Sequence, residues 1–182
     1  MDDATETAVI VDVPAAEDVV GVHRARWDSS AGWGVPAHVT VLHPFVPPEQ
    51  VDEAVILALA SAVARVPRFT ATWRASGWFG EEVLWLAPEP EDAFRALTTA
   101  VSQAFPDYPP YGGAFADVVP HLTVGDGGTP EELGEAERQI LPRLPLSMEV
   151  TSAALWRGTE RPGSWQPVAL LPLGDPDEAE GV

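Results

Sequence analysis

Cysteine and lysine are both missing from this chain. Without cysteine there can be no disulfide, no thiolate nucleophile and no Cys-based zinc or iron–sulfur site, a composition that fits a reducing compartment. Without lysine, the ten basic residues are all arginine and face 28 acidic ones, for a net charge of −18. Such a field disfavours a tight, sequence-independent grip on a polyanionic backbone, so long nucleic acid is not an expected partner. A small nucleotide or a strand end is still compatible, because a local pocket of arginine and backbone N–H groups can oppose the global field. No apolar run is long enough to span a bilayer, and the acidic opening Met1-Asp2-Asp3 lacks the basic start of a secretory signal. The expected location is therefore the cytoplasm, with no membrane partner. Histidine is scarce too: four residues, no His-x-x-x-His pair and no cysteine make a metallohydrolase ligand set hard to assemble, so neither metal nor cofactor is expected.

What the chain does have is a pattern that occurs twice: His38-Val39-Thr40-Val41 and His121-Leu122-Thr123-Val124, 83 positions apart. Alternation of this kind is the period of a strand, whose neighbouring side chains point to opposite faces. Each copy would bury Val39 and Val41, or Leu122 and Val124, and present an imidazole and a hydroxyl to a cleft. Four histidines and 11 threonines in 182 residues would give about a quarter of one such match by chance, so one copy would mean little. Two copies in a shared context mean more. Each follows a proline, Pro36 or Pro120, and each leads to an acidic helix start, at Pro48-Glu49 or Pro130-Glu131-Glu132.

Upstream, Val9-Ile10-Val11-Asp12-Val13-Pro14 parallels Val83-Leu84-Trp85-Leu86-Ala87-Pro88, each a strand entering a helix. The chain thus reads as a duplication, with pseudo-repeats over about 8–80 and 82–174 in one domain spanning 1–174. At this length and with 46% hydrophobic residues it can bury a substantial core, and a monomer is expected. Acid-rich first turns and helix-opening prolines predict helices near 15–28, 48–65, 90–105 and 130–141. Strands are predicted near 8–13, 37–42, 69–77, 82–87, 119–124, 146–156 and 165–172. Residues 175–182 read as a solvated, frayed acidic tail.

The twin His-x-Thr strands, their separation, the duplicated pattern and the ending Trp165-Gln166-Pro167-Val168-Ala169-Leu170-Leu171-Pro172-Leu173-Gly174 resemble the 2H phosphoesterase superfamily, specifically bacterial proteins of the 2′-5′ RNA ligase family. The resemblance runs from about residue 8 to 174. It implies an α+β fold in which two antiparallel sheets face each other across a central cleft, with helices outside. It also implies metal-independent chemistry on 2′,3′-cyclic or 2′-5′-linked phosphates that leaves a 2′-phosphate. His38 and His121 would carry the catalysis, with Thr40 and Thr123 on the phosphate. The residue types suit that reaction on their own account. Opening a cyclic phosphodiester needs a proton taken from water and another given to the departing ribose oxygen, and histidine does either near neutral pH. The non-bridging oxygens need fixed donors, which the threonine hydroxyls can supply. ADP-ribose cyclic phosphate and 2′-5′ oligonucleotides are competing substrates, and a catalytically silent nucleotide-binding module is the alternative of another class.

One position departs from the family pattern. Relatives often carry arginine shortly after the second motif, whereas His121-Leu122-Thr123-Val124-Gly125-Asp126 places an aspartate there. Replacement charge is sought in Arg157 or Arg74, each on a predicted strand, against the alternative of an exposed arginine on the sheet's other face. The segment Tyr108-Pro109-Pro110-Tyr111-Gly112-Gly113-Ala114-Phe115 offers Tyr111 or Phe115 as a lid or base-stacking edge, against a turn packed by its own aromatics. Trp33 is placed at the cleft rim. His43 falls on the opposite strand parity from His38 and is assigned a structural hydrogen bond. His23 is read as a partly buried helix histidine.

Overall fold

In the computed structural model, which describes residues 4–176, the chain runs β1 (Glu6–Asp12), α1 (Glu17–Trp27), α2 (Ser29–Trp33), β2 (His38–Leu42), α3 (Glu53–Val63), β3 (Phe69–Phe79), β4 (Val83–Glu89), α4 (Glu91–Ala104), β5 (Leu122–Gly125), α5 (Pro130–Ile140), β6 (Leu146–Val150), β7 (Ser152–Gly158) and β8 (Gln166–Pro172). Local chemistry sets the helix starts. Thr129 and Glu132 form a capping box ahead of α5, with Pro130 in its first turn, and the Asp52 and Asp28 carboxylates accept from the first-turn N–H groups of Val55 and Ser30. The helix expected over 48–65 is therefore split: Pro48–Gln50 forms a single 3-10 turn and α3 begins after the Asp52 cap. Burial follows the helical repeat, with Phe94, Leu97, Ala100 and Val101 inward on α4 and Leu133, Ala136 and Ile140 inward on α5.

The strands form two four-stranded sheets in the orders β2-β1-β7-β8 and β5-β4-β3-β6, with every pair antiparallel. The fold class is α+β, as expected. The sheets do not, however, divide the chain at residue 80. β3 forms a hairpin with β4, and β7 and β8 return to pair beside β1, so each sheet takes strands from both halves of the sequence. The single strand expected over 146–156 is in fact two: β6 ends at Val150 in one sheet, Thr151 is exposed, and β7 starts at Ser152 in the other.

One core cluster joins the lobes, running from Val9, Val39 and Leu155 to Leu86, Leu122 and Ile140. The helices interlock as well. α1 packs against β5 and α4 against β2, and the Thr98 hydroxyl donates to the Val41 carbonyl across that second contact (2.9 Å). Beyond β8, the Gly174 N–H donates to the Val66 carbonyl (2.9 Å), and Asp175 pairs with Arg68. The rest of the expected acidic tail, residues 177–182, lies outside the described residues. No helix among the described residues is long and apolar enough to cross a membrane.

Candidate active site

β2 and β5 are edge strands, one from each sheet, and they pack against each other. Their alternation does what the pattern requires. Val39, Val41, Leu122 and Val124 are buried, while His38, Thr40, His121 and Thr123 are only partly covered and line cavities. The two histidines are anchored identically. Nδ1 of His38 lies 2.8 Å from the Pro36 carbonyl and Nδ1 of His121 lies 2.7 Å from the Val119 carbonyl, each two residues back. A carbonyl only accepts, so Nδ1 carries the hydrogen in both rings and Nε2 is left for a ligand. Such an anchor fixes both tautomer and ring direction.

Electrostatics separates the pair. Burial, then the Arg24 guanidinium, and to a smaller degree the other imidazole push His38 down to about 4, against partial compensation from the Pro36 carbonyl and Asp28. Burial also lowers His121, partly offset by its bond to Val119. Arg24 is a residue that the sequence reading passed over. It lies on the inward face of α1, one turn after Val20, and is 2% exposed. Its Nε donates to Asp28 (2.8 Å) and its guanidinium to the Ser30 hydroxyl and the Val35 carbonyl (both 3.2 Å).

The cavity on the His121 side, about 440 Å³, is walled by Phe79, Tyr111, Phe115, Val118 and Val119, with Thr123, Asp117 and Asp126 among its polar lining. Phe79, also missed in the sequence, sets its edge against the His121 ring (4.9 Å, 89°) and stacks on Trp85 (4.9 Å). Tyr111 donates its N–H to the His43 carbonyl (2.7 Å), which ties this loop to the end of β2. Burial raises the Tyr111 phenol above its usual range. Phe115 packs edge-on to Tyr111 (5.6 Å) and is 62% exposed.

The cavity on the His38 side, about 150 Å³, is lined by Thr40, Ser30, Trp33, Trp165 and His43 among others. Trp33 thus reaches the cleft. The position of His43 corrects the parity argument. β1 pairs Val9 with Leu42 but Ile10 with Thr40, so Val41 is the extra residue of a β-bulge; Val41 and Leu42 are both buried and His43 returns to the side of His38. It does make a structural bond, Nε2 to the Glu6 carboxylate at 3.0 Å. His23 lies half-buried on α1, away from both cavities, its imidazole lowered by burial and by Arg143.

Neither arginine sought as replacement charge lines these cavities. Arg74 occupies a bulge in β3 and forms an exposed pair with Glu89 (3.2 Å). Arg157 pairs in register with Thr7, one residue out of phase with the cavity-lining Ala8, which places it on the sheet's other face. Asp126 is held in the cleft wall by the Ser29 N–H (3.2 Å) and hydroxyl (3.1 Å). Among the described residues no three His, Asp or Glu side chains converge as a metal-ligand set.

Comparison with known proteins places this geometry in context. A family model described as the 2′-5′ RNA ligase superfamily matches residues 11–162. Among solved structures, E. coli LigT in apo form superposes with a TM-score of 0.59 at 20% identity, covering 94% of this chain and 99% of that one. LigT complexed with 3′-AMP gives 0.57 at 20% identity, with 95% and 100% covered. TT0787 of Thermus thermophilus gives 0.55 at 16% identity, with 94% and 99% covered. At these identities the likeness is one of fold. No curated protein matches the chain.

Proposed function

Since the chain belongs to the 2′-5′ RNA ligase superfamily of 2H phosphoesterases, we propose that it is a metal-independent cyclic phosphodiesterase that opens the 2′,3′-cyclic phosphates of nucleotides or RNA ends to 2′-phosphates. The observation that carries this reading is the pair of identically anchored histidines, each with a threonine on its own strand face, on two strands that pack together. LigT has been solved complexed with 3′-AMP, with ATP and with NADP+, which supports a nucleotide-sized ligand here. In this reading residues 1–174 act as one unit, as a monomer, in the cytoplasm.

His38 is the base. Burial and Arg24 keep it neutral, so its Nε2 takes the proton of the attacking water as the water oxygen bonds to phosphorus. A bound phosphate raises both imidazoles, and His121, the less strongly lowered of the two, is protonated first. Its Nε2–H then delivers a proton to the ribose 3′ oxygen as the P–O3′ bond breaks, leaving the phosphate on the 2′ position. Thr40 and Thr123 donate to the non-bridging oxygens, where charge builds in the transition state. The test is turnover of the four nucleoside 2′,3′-cyclic monophosphates, with and without EDTA, by wild type and by the His38→Ala/His121→Ala double variant. Wild-type turnover that survives chelation and is lost in the double variant supports the reading. Binding without turnover would instead make the chain a nucleotide-binding module, and activity restored only by added zinc or manganese would overturn the mechanism.

A further inference from the structure

The cleft walls bear on how many phosphates a substrate can carry. None of the residues lining the two cavities is an arginine. The larger cavity has an apolar wall that suits a flat, uncharged ring, and it carries two carboxylates. One of them, Asp117, is offset by Arg95, whose guanidinium bonds it at 2.6 Å. The other, Asp126, is held by the N–H and hydroxyl of Ser29, neutral donors that fix the carboxylate in place without cancelling its charge. Past Val83 and Asp126 the surface continues as a groove of about 690 Å³ whose charged lining is Glu81, Glu82 and Asp126 again. The smaller cavity beside His38 offers neutral walls, with histidine as its only titratable lining.

A single phosphate between His38 and His121 has two imidazoles and two hydroxyls to receive it. A second phosphate, displaced by the length of a ribose towards Asp126, would meet a carboxylate held by neutral donors, the Arg95 guanidinium being taken up by Asp117 and Glu91. Repulsion between two unit charges about 7 Å apart lowers affinity by some tens of fold at the effective dielectric of a protein surface, and screening by salt brings this down to about tenfold. Resting on the phosphodiesterase reading above, we infer that the substrate class is the cyclic phosphodiester of a single nucleoside with an uncharged 5′-hydroxyl, and that Asp126 is the specificity-determining residue that rejects substrates bearing a further phosphate. RNA ends, dinucleotides and 5′-phosphorylated nucleotides are then poor substrates for a reason local to the cleft.

The experiment compares kcat/KM for adenosine 2′,3′-cyclic monophosphate and for its 5′-phosphorylated counterpart at low ionic strength. Wild type should favour the 5′-hydroxyl compound by about tenfold. The ratio should shrink about threefold or more in Asp126→Asn, whose side-chain carbonyl can still accept from Ser29, and should approach unity or reverse in Asp126→Arg. Glu53→Gln, which removes one negative charge from exposed α3, should leave the ratio where it was and so separates a local effect from a change in net charge. Equal kcat/KM for the two compounds in wild type, a preference for the 5′-phosphorylated one, or a ratio identical in all four proteins would overturn this inference alone. Failure of folded wild type to hydrolyse either compound would overturn the phosphodiesterase reading and this inference with it.

Discussion

The two imidazoles share an anchor but not an environment. Arg24 lowers His38 further than burial alone, whereas the pull on His121 is burial partly offset by the Val119 carbonyl, and in the proposed mechanism this difference assigns the base and the acid. If His38 and His121 are base and acid, either alanine substitution should lower kcat by about 10²–10⁴-fold, and Thr40→Val or Thr123→Val by about 10–10³-fold. Steady-state kinetics on a confirmed cyclic substrate checks this, and near-wild-type turnover in either histidine variant would remove that residue from the mechanism. A second expectation concerns stability. With its folded pKa at about 4 against an ordinary 6.5, His38 stays neutral in the folded protein over a range where the unfolded chain binds a proton. Stability from this source is complete above about pH 6.5, falls as the pH drops towards 4, and changes no further below that. His38→Gln should therefore lose less stability than wild type between pH 7.5 and 4.5, by on the order of 1–3 kcal/mol in urea midpoints. His23 and His121 are lowered too, so the slope should shrink without vanishing. At this scale the sequence disclosed the motif residues because strand alternation marked them. It did not disclose Phe79, which reaches the cavity through pairing with β4, or His43, which a bulge at Val41 turns back towards His38.

Elements were legible wherever one local signal ran unbroken for several residues. The capping box of Thr129 and Glu132, the 3.6-residue stripe of α4, the continuous apolar run of β1 and the alternation of β2 and β4 all show in the order of residues alone. The break between β6 and β7 does not, because a single threonine with no glycine or proline beside it carries the chain from one sheet to the other. α2 is five residues long, too short for a periodicity to develop. Two glycines link the elements to the site in corresponding places. A Cβ on Gly77 of β3 would overlap the Trp85 ring, and one on Gly158 of β7 would overlap Trp165, so each of these indoles lies across a strand stripped of its side chain. Trp85 packs near His121 (6.1 Å between ring centres) and Trp165 lines the cavity beside His38. Gly77→Ala and Gly158→Ala should each cost about 1–3 kcal/mol, a fall of several degrees in Tm. Pairing Gly77→Ala with Trp85→Leu should recover part of the loss, since the smaller side chain leaves room for the methyl group. Thermal melts of the single and double variants decide it: additive losses would mean that the indole does not occupy the space over Gly77.

At the scale of the whole molecule, one core and crossed strand pairings make the lobes interdependent, so the relative placement of His38 and His121 is set by the same packing that stabilises the chain. The global charge works against the site. A net −18 repels any anionic substrate during approach, and the cleft provides no arginine wall to reverse the field locally. Most charged cleft enzymes that act on anions use attraction, so that added salt slows capture. Here the sign should be opposite. Screening lengths shrink from about 30 Å at 0.01 M salt to about 8 Å at 0.15 M, which removes most of the long-range repulsion while leaving hydrogen bonds inside the cleft intact. For a nucleoside 2′,3′-cyclic monophosphate, kcat/KM should therefore rise several-fold across that range, while kcat, which reports the bound complex, changes little. The effect should belong to the net charge rather than to one residue. Neutralising exposed acids that line neither cavity, such as Glu49, Glu53 and Asp92 together, should flatten the salt curve, with kcat held. A kcat/KM that falls with salt in the wild-type protein would mean that the substrate meets a positive local field, and a source of cationic charge near the phosphate would then have to be sought outside the cavity walls described above.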